Sequence, residues 1–263
     1  MNTDPPAARA PASPGRASAF GGILRLVVAR FLQPSRWLAV AGALAVLGLL
    51  TLGSAHGWRS PGRFFTWASE FYVTFLVPVV AFIAAGGAIR DDLKAGTADY
   101  VFTRPVGRTT FVVFRYAAQV VCAQLDFILG LAVVAAVGWY REVPDVWGAL
   151  PELLLGQVLM VVAFTALGFL CGLLTSRYVI VGLGYAAIVE GGVGQIPTQL
   201  SRLSMTHQMR EALSGLLASP GGTGAGQTLW ATLGTVMGFA LIMLSLSATI
   251  FERRELADGG IES

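Results

Sequence analysis

Charge is what this sequence has least of. Only 13% of its 263 residues are Asp, Glu, Lys or Arg, about half the ~25% of an ordinary soluble domain. Hydrophobic residues make up 55% and the mean hydropathy is +0.67. A water-exposed globule of this composition would not stay in solution, so the bilayer is the solvent. Histidine is nearly absent: His56 and His207 stand far apart, which excludes the paired-histidine spacing of a zinc helix. Of cysteine there are only Cys122 and Cys171, both inside apolar stretches. That excludes a disulfide framework and leaves two small, buried, reduced side chains. Lysine occurs once, as Lys94, against seventeen arginines. The glycine-rich run from Gly221 to Thr228 approaches the spacing of a phosphate-binding loop, but Gln227 stands where the phosphate-binding lysine must be, and no strand precedes it. There is no Gly-x-Ser-x-Gly elbow to support a serine nucleophile. The net charge of +3 is spread singly between apolar blocks, which excludes a nucleic-acid-binding patch and reads as membrane topology.

What is present is a set of apolar runs of spanning length. Six spans of ~20 residues would use on the order of 120 residues, leaving room for loops but not for a second, soluble catalytic domain. The expected fold is an all-α integral membrane protein of six transmembrane helices, over about 37–54, 71–89, 112–140, 153–174, 178–196 and 229–251. Pro78 is the expected kink of the second span. Residues 1–18, rich in proline and alanine, form a disordered tail, 19–255 a single membrane domain, and 256–263 a short second tail. Phe20, Ile23, Leu24, Val27, Val28 and Phe31 share one face of a helical wheel opposite Arg25, Arg30 and Gln33. This predicts an interfacial amphipathic helix before span one, broken from it at Pro34-Ser35.

Six spans place both termini on one side. With that side inside, thirteen basic residues fall inside and five outside, so both termini are expected in the cytoplasm of a bacterial inner membrane. Outside, a short loop containing Pro144, Asp145 and Pro151 precedes span four. The stretch 197–228 carries Leu200, Leu203, Met209, Leu213 and Leu216 among charges. It is expected to hold a short helix or re-entrant hairpin, followed by a flexible Gly221–Gly226 linker. Glu70 and Glu152 read as residues at outer helix starts. Gly168 with Gly172, and Gly234 with Gly238, are small-residue pairs that let helices approach closely, with packing inside the chain favoured over a dimer contact.

Two carboxylates lie within spans: Asp126 near the middle of span three, and Glu190 in the outer half of span five beside Gly191-Gly192. A carboxylate at the bilayer centre costs about 2.5–3.5 kcal/mol on insertion scales. Each must therefore face a partner, a wet cavity or a proton. Asp126 reads equally as part of a translocation path or as a structural hydrogen-bonding group, and Glu190 as a gate or vestibule residue.

The most informative segment joins spans two and three: Ile89-Arg90-Asp91-Asp92-Leu93-Lys94-Ala95-Gly96-Thr97-Ala98-Asp99-Tyr100-Val101-Phe102-Thr103-Arg104-Pro105-Val106-Gly107-Arg108. Gly96 can end one helix, Thr97 can cap a short new one, and Pro105-Val106-Gly107 turns the chain before span three. Tyr100, Val101 and Phe102 put aromatic and apolar surface on a cytoplasmic helix flanked by Arg104 and Arg108, a form suited to docking in a groove of another protein.

An acidic residue after the second span (Asp91 or Asp92), then Gly96-Thr97, then Pro105 through Arg108, resembles the permease subunits of ABC type-2 exporters. The resemblance covers residues 20 to 255 and includes the amphipathic helix, the six spans and the outer hairpin-like segment. Thr103-Arg104 departs from the more apolar or small-polar pair of that family. The resemblance implies a half-transporter in which a second permease subunit, identical or homologous, completes the path. It further implies two separately encoded ATPase subunits that hold ATP and Mg, coupled through Asp91, Asp92, Gly96, Thr97, Tyr100, Phe102, Arg104, Pro105 and Arg108. No cofactor would be bound by this chain, and apart from lipids no other partner is implied. Two other classes fit the same spans: a membrane anchoring or assembly subunit without transport, and an intramembrane enzyme using Asp126 and Glu190.

Overall fold

The computed structural model describes residues 33–54, 61–93, 108–186, 188, 204–218 and 223–258, and every regular element among them is helical. Helix α1 covers Pro34–Ser54; α2, Pro61–Trp67, passes through a π-helical segment, Ala68–Leu76, into α3, Val77–Asp92. Then follow α4 (Arg108–Tyr140), α5 (Val146–Leu174), α6 (Tyr178–Tyr185), α7 (Met205–Ala218) and α8 (Thr223–Asp258). Five stretches are long and apolar enough to cross a membrane: Arg36–Ser54, Gly62–Asp92, Thr109–Tyr140, Val146–Leu174 and Trp230–Glu252. They correspond to five of the six expected spans. The remaining one is represented by α6 and Ile188, and its other residues lie outside the described residues, as do the amphipathic helix over 20–33 and the tail 1–18.

Helix α5 is the hub. It carries apolar residues on all sides, and 72% of its most apolar stretch is buried, against 11% for α1. It packs on α3, α8, α4, α6 and α7. A helix apolar all round belongs inside a bundle; among the described residues α1 has only α4 as a substantial neighbour and turns most of its side chains outward. Close backbone approach fixes α5 against α3. A Cβ on Gly168 would stand 2.5 Å from the Phe82 carbonyl oxygen, and one on Gly172 would stand 2.8 Å from that of Gly86. This glycine pair packs within the chain, as expected. Around Gly234 and Gly238, by contrast, nothing lies within 4 Å, so the second pair faces outward and makes no such contact among the described residues.

Several boundaries differ from the sequence expectation, each for a physical reason. The irregularity attributed to Pro78 appears one turn earlier, as the π segment. Pro78 has no N–H and its ring crowds the carbonyl of residue 74, and a widened turn ahead of it relieves both without a break. Pro151, expected in a loop, lies inside α5, whose start at Val146 follows Asp145 in the left-handed conformation, φ 60°. The loop between α4 and α5 is therefore shorter, and Glu152 sits in the second turn of α5 with Oε2 buried and unbonded. Glu70 lies inside the π segment, not at a helix start. Helix α8 starts at Thr223 and includes Gly224 and Gly226, where a linker was expected. Extending an existing helix adds one hydrogen bond per residue, which offsets the roughly 1 kcal/mol cost of each glycine. Helix α8 also runs past the expected boundary of the second tail at 256.

The described part of the segment between the fifth and sixth expected spans is helical. Ser204 accepts a hydrogen bond from the His207 N–H at 3.1 Å, the N-cap geometry that starts α7. Met205, Met209, Ala212 and Leu213 bury one face of that helix, and Leu213 lies against Gly156 of α5.

Candidate functional site

The chemistry lies in three layers along the bundle. At one end the exposed rings of Trp139, Tyr140, Trp147 and Trp230 gather on α4, α5 and α8. Such rings mark a membrane–water boundary. At the opposite end, α3 leaves the bundle at Asp92 and α4 begins at Arg108, the two ends that flank the expected coupling segment.

That base is stitched across three helices. Arg115 of α4 donates from Nε to Asp92 Oδ2 of α3 at 2.5 Å, with side chains only 6% and 11% exposed. Arg115 Nη1 also reaches Gln119 Oε1 at 3.5 Å. Thr109 of α4 hydrogen-bonds Glu252 of α8, and the rings of Phe111 and Phe251 stack at 6.1 Å. Beneath them Ala85, Ile89, Val112, Phe169, Leu173 and Phe251 form a core cluster of their own. Desolvating an ion pair is costly unless its partners are well placed. Here the arginine is held by a carboxylate and an amide, and the ends of α3 and α4 cannot move apart without exposing both charges. Gly96, Thr97, Tyr100, Phe102, Arg104 and Pro105 lie outside the described residues. Asp91, adjacent to Asp92, is exposed, and Arg108 is the first residue of α4.

The second layer holds Asp126. Arg36 Nη2 donates to its Oδ2 at 2.8 Å, while Oδ1 is buried without a hydrogen bond. The contact sets a depth. With 21 residues, α1 is about 31 Å long, the thickness of the ~30 Å hydrocarbon core, and Arg36 with exposed Trp37 stands at its start. Asp126 is therefore level with one end of α1. At the far end of α1, Arg141 donates to the Leu52 carbonyl at 3.5 Å, so α1 and α4 run parallel. Glu190 lies outside the described residues and is not brought together with Asp126 by any described contact.

At the level of Asp126 a polar cluster, buried except for partly exposed Gln124, joins three helices. The Tyr72 hydroxyl lies 2.5 Å from the Phe127 carbonyl and 3.0 Å from Gln157 Oε1. Gln157 Nε2 reaches Gln124 Oε1 at 3.5 Å, and Gln124 Nε2 donates to the Val158 carbonyl at 3.2 Å. Gly130 makes room, since a Cβ there would meet the Tyr72 hydroxyl at 2.8 Å. Cys122 and Cys171 are buried and unbonded. No group of three or more His, Cys, Asp and Glu that could hold a metal occurs among the described residues.

A bundle of spanning helices, with an acidic residue clamped at the exit of the second and glycines between the second and fourth, is a membrane permease in outline. The family model described as an ABC-2 family transporter protein matches residues 15–256. The chain belongs to the ABC-2 transporter family. No curated protein matches the sequence. As an ABC-2 protein it is a multi-pass membrane domain of a transporter permease, and the layers above are parts of that domain. Reasoning from the sequence missed Arg36, Arg115, Glu252 and the Tyr72–Gln157–Gln124 cluster of this permease. A signal existed for Arg115: an arginine just inside an apolar span requires a counter-ion, and Asp92 is the acid at the matching end of the preceding span. None existed for Arg36, whose partner lies ninety residues away.

Proposed function

We propose that this chain is the permease subunit of an ATP-driven exporter, coupled through the segment between α3 and α4 to a separate ATPase subunit that holds ATP and Mg. The chain itself catalyses nothing in this reading. The observation that supports it is the stitched base. Asp92–Arg115 and Thr109–Glu252 tie the two helices flanking that segment to α8, so a displacement applied there would move α3, α4 and α8 together. The excess of basic residues in the segments at the base end supports assigning it to the cytoplasm, with both termini on that side of a bacterial inner membrane. Two permease subunits, identical or homologous, complete the path. The counter-ion at Asp126 weighs against the alternative of an intramembrane enzyme, which needs a carboxylate free to exchange protons. An anchoring subunit would dock a partner in the same way without transport.

The test is a pull-down with the ATPase encoded in the adjacent reading frame. Changing Tyr100→Ala and Phe102→Ala together should abolish its co-purification and leave the permease folded, with an unchanged elution profile. Unaffected co-purification would sink the coupling assignment. ATP hydrolysis without movement of any solute in a reconstituted vesicle would favour the anchoring alternative.

A further inference from the structure

On the outer half of the bundle the π segment and α3 separate from α6 and leave a groove of about 310 Å³. Phe164 and Leu167 of α5 form its floor, and α7 crosses its outer end. The groove closes at its inner end, where helices touch through glycine: a Cβ on Gly182 would collide with the Phe82 ring at 2.2 Å, and one on Gly86 with that of Tyr178 at 2.4 Å. From Glu70 to Ile83 it follows thirteen residues of helix, about 20 Å, against the ~15 Å depth of one leaflet's hydrocarbon.

Its chemistry is divided by depth. Among the described residues of the lining, Glu70, Thr74, Thr206 and Arg210 are the only charged or hydroxyl-bearing aliphatic side chains, and all stand at the outer end. Below them the wall is Phe75, Pro78, Val79, Ile83, Val179 and Leu183, with further apolar and aromatic neighbours. Arg210 Nε and Glu70 Oε1 are 3.9 Å apart with side chains 47% and 51% exposed. This is a loose pair, worth little by itself, that can open to admit a second pair of charges. A phosphate would engage the guanidinium with charge-assisted hydrogen bonds and an ammonium would engage the carboxylate. An anionic head would be opposed by Glu70, and an uncharged one would draw on neither group.

We propose that this groove binds a single-chain zwitterionic amphiphile from the bilayer, its hydrocarbon chain lying along Val79 and Leu183 and its head between Glu70 and Arg210. The volume is at the low end of small-ligand sites, about 300–1,000 Å³, which suits one chain better than two. Naming this amphiphile as transported cargo rests on the permease reading; occupancy of the groove does not.

The experiment uses the full chain, purified in maltoside detergent and titrated with palmitoyl lysophosphatidylcholine, with bound lipid counted by native mass spectrometry. The wild type should retain one molecule and prefer it over uncharged monopalmitoylglycerol. Val79→Trp and Leu183→Trp, both at exposed positions, should each weaken retention about tenfold or more. Changing Glu70→Gln and Arg210→Gln together should erase the preference for the charged head. Failure of the wild type to retain the lipid, or equal retention by both tryptophan variants, overturns the proposal, as does a preference for the uncharged lipid. Parallel samples carrying the partner ATPase separate the two readings. ATP hydrolysis and solute movement without lipid binding sink the groove alone; lipid binding without an ATPase partner sinks the permease reading alone.

Discussion

The two ends of the α3–α6 side of the bundle are built on opposite principles. At the inner end Gly182 and Gly86 admit the rings of Phe82 and Tyr178 from the facing helix, and the Asp92–Arg115 pair is short and almost wholly buried. At the outer end the same helices part, and Glu70 faces Arg210 across a longer gap, half in solvent. One charge pair is enclosed by packed side chains, so its removal leaves an uncompensated charge; the other is a surface pair that water can replace. The difference teaches where rigidity lies: the end where α3 meets α4 is fixed, and the end where Glu70 faces Arg210 yields.

Six substitutions would break or sharpen that contrast. Arg115→Ala should have the largest effect, about 3–5 kcal/mol of lost stability, because Asp92 would remain buried and unpaired. It is read as a fall in thermal midpoint and loss of the monodisperse peak, and Asp92→Asn should be comparably costly because the Arg115 guanidinium would remain buried without a carboxylate. Next, Gly172→Leu should cost about 1–3 kcal/mol or more by overpacking against Gly86 and Ile89. Gly234→Leu, where nothing lies within 4 Å, serves as the control and should leave the thermal midpoint of the isolated chain unchanged. Asp126→Asn should cost about 1 kcal/mol or less, since both partners are partly exposed, and its effect should concentrate in faster hydrogen exchange over the first turns of α1. Glu70→Gln should be smallest, below about 0.5 kcal/mol. A destabilisation by Glu70→Gln as large as that of Arg115→Ala would erase the distinction between the two ends.

Much of the fold was legible because hydrophobic runs are long and the bilayer leaves backbone groups no partner but their own helix. Five described spans fall where the apolar runs are, and α7 follows the Met209–Leu213 spacing. Boundaries were less legible, because proline and glycine carry local penalties that a packed helix overrides, as at Pro151 and Gly226. The base of the candidate coupling site was half visible. Asp92 stood out as an acid at a span's end, but its inward orientation depends on Arg115, which was counted among the loop charges. The groove was invisible: Glu70 and Arg210 are 140 residues apart, and neither has a local signature.

Composition and the order of apolar runs by themselves determined that the chain is a multi-span membrane protein, and the segment from Asp91 to Arg108 pointed to its family. These are properties of each segment alone, fixed by transfer into lipid and by local backbone geometry. Only the tertiary structure decided which charges are paired, that Asp126 takes Arg36 as its counter-ion, and that α3 and α6 touch at one end and part at the other. Those are matters of which helix faces meet and at what depth. They are set by side-chain packing between segments distant in sequence, which no local period records.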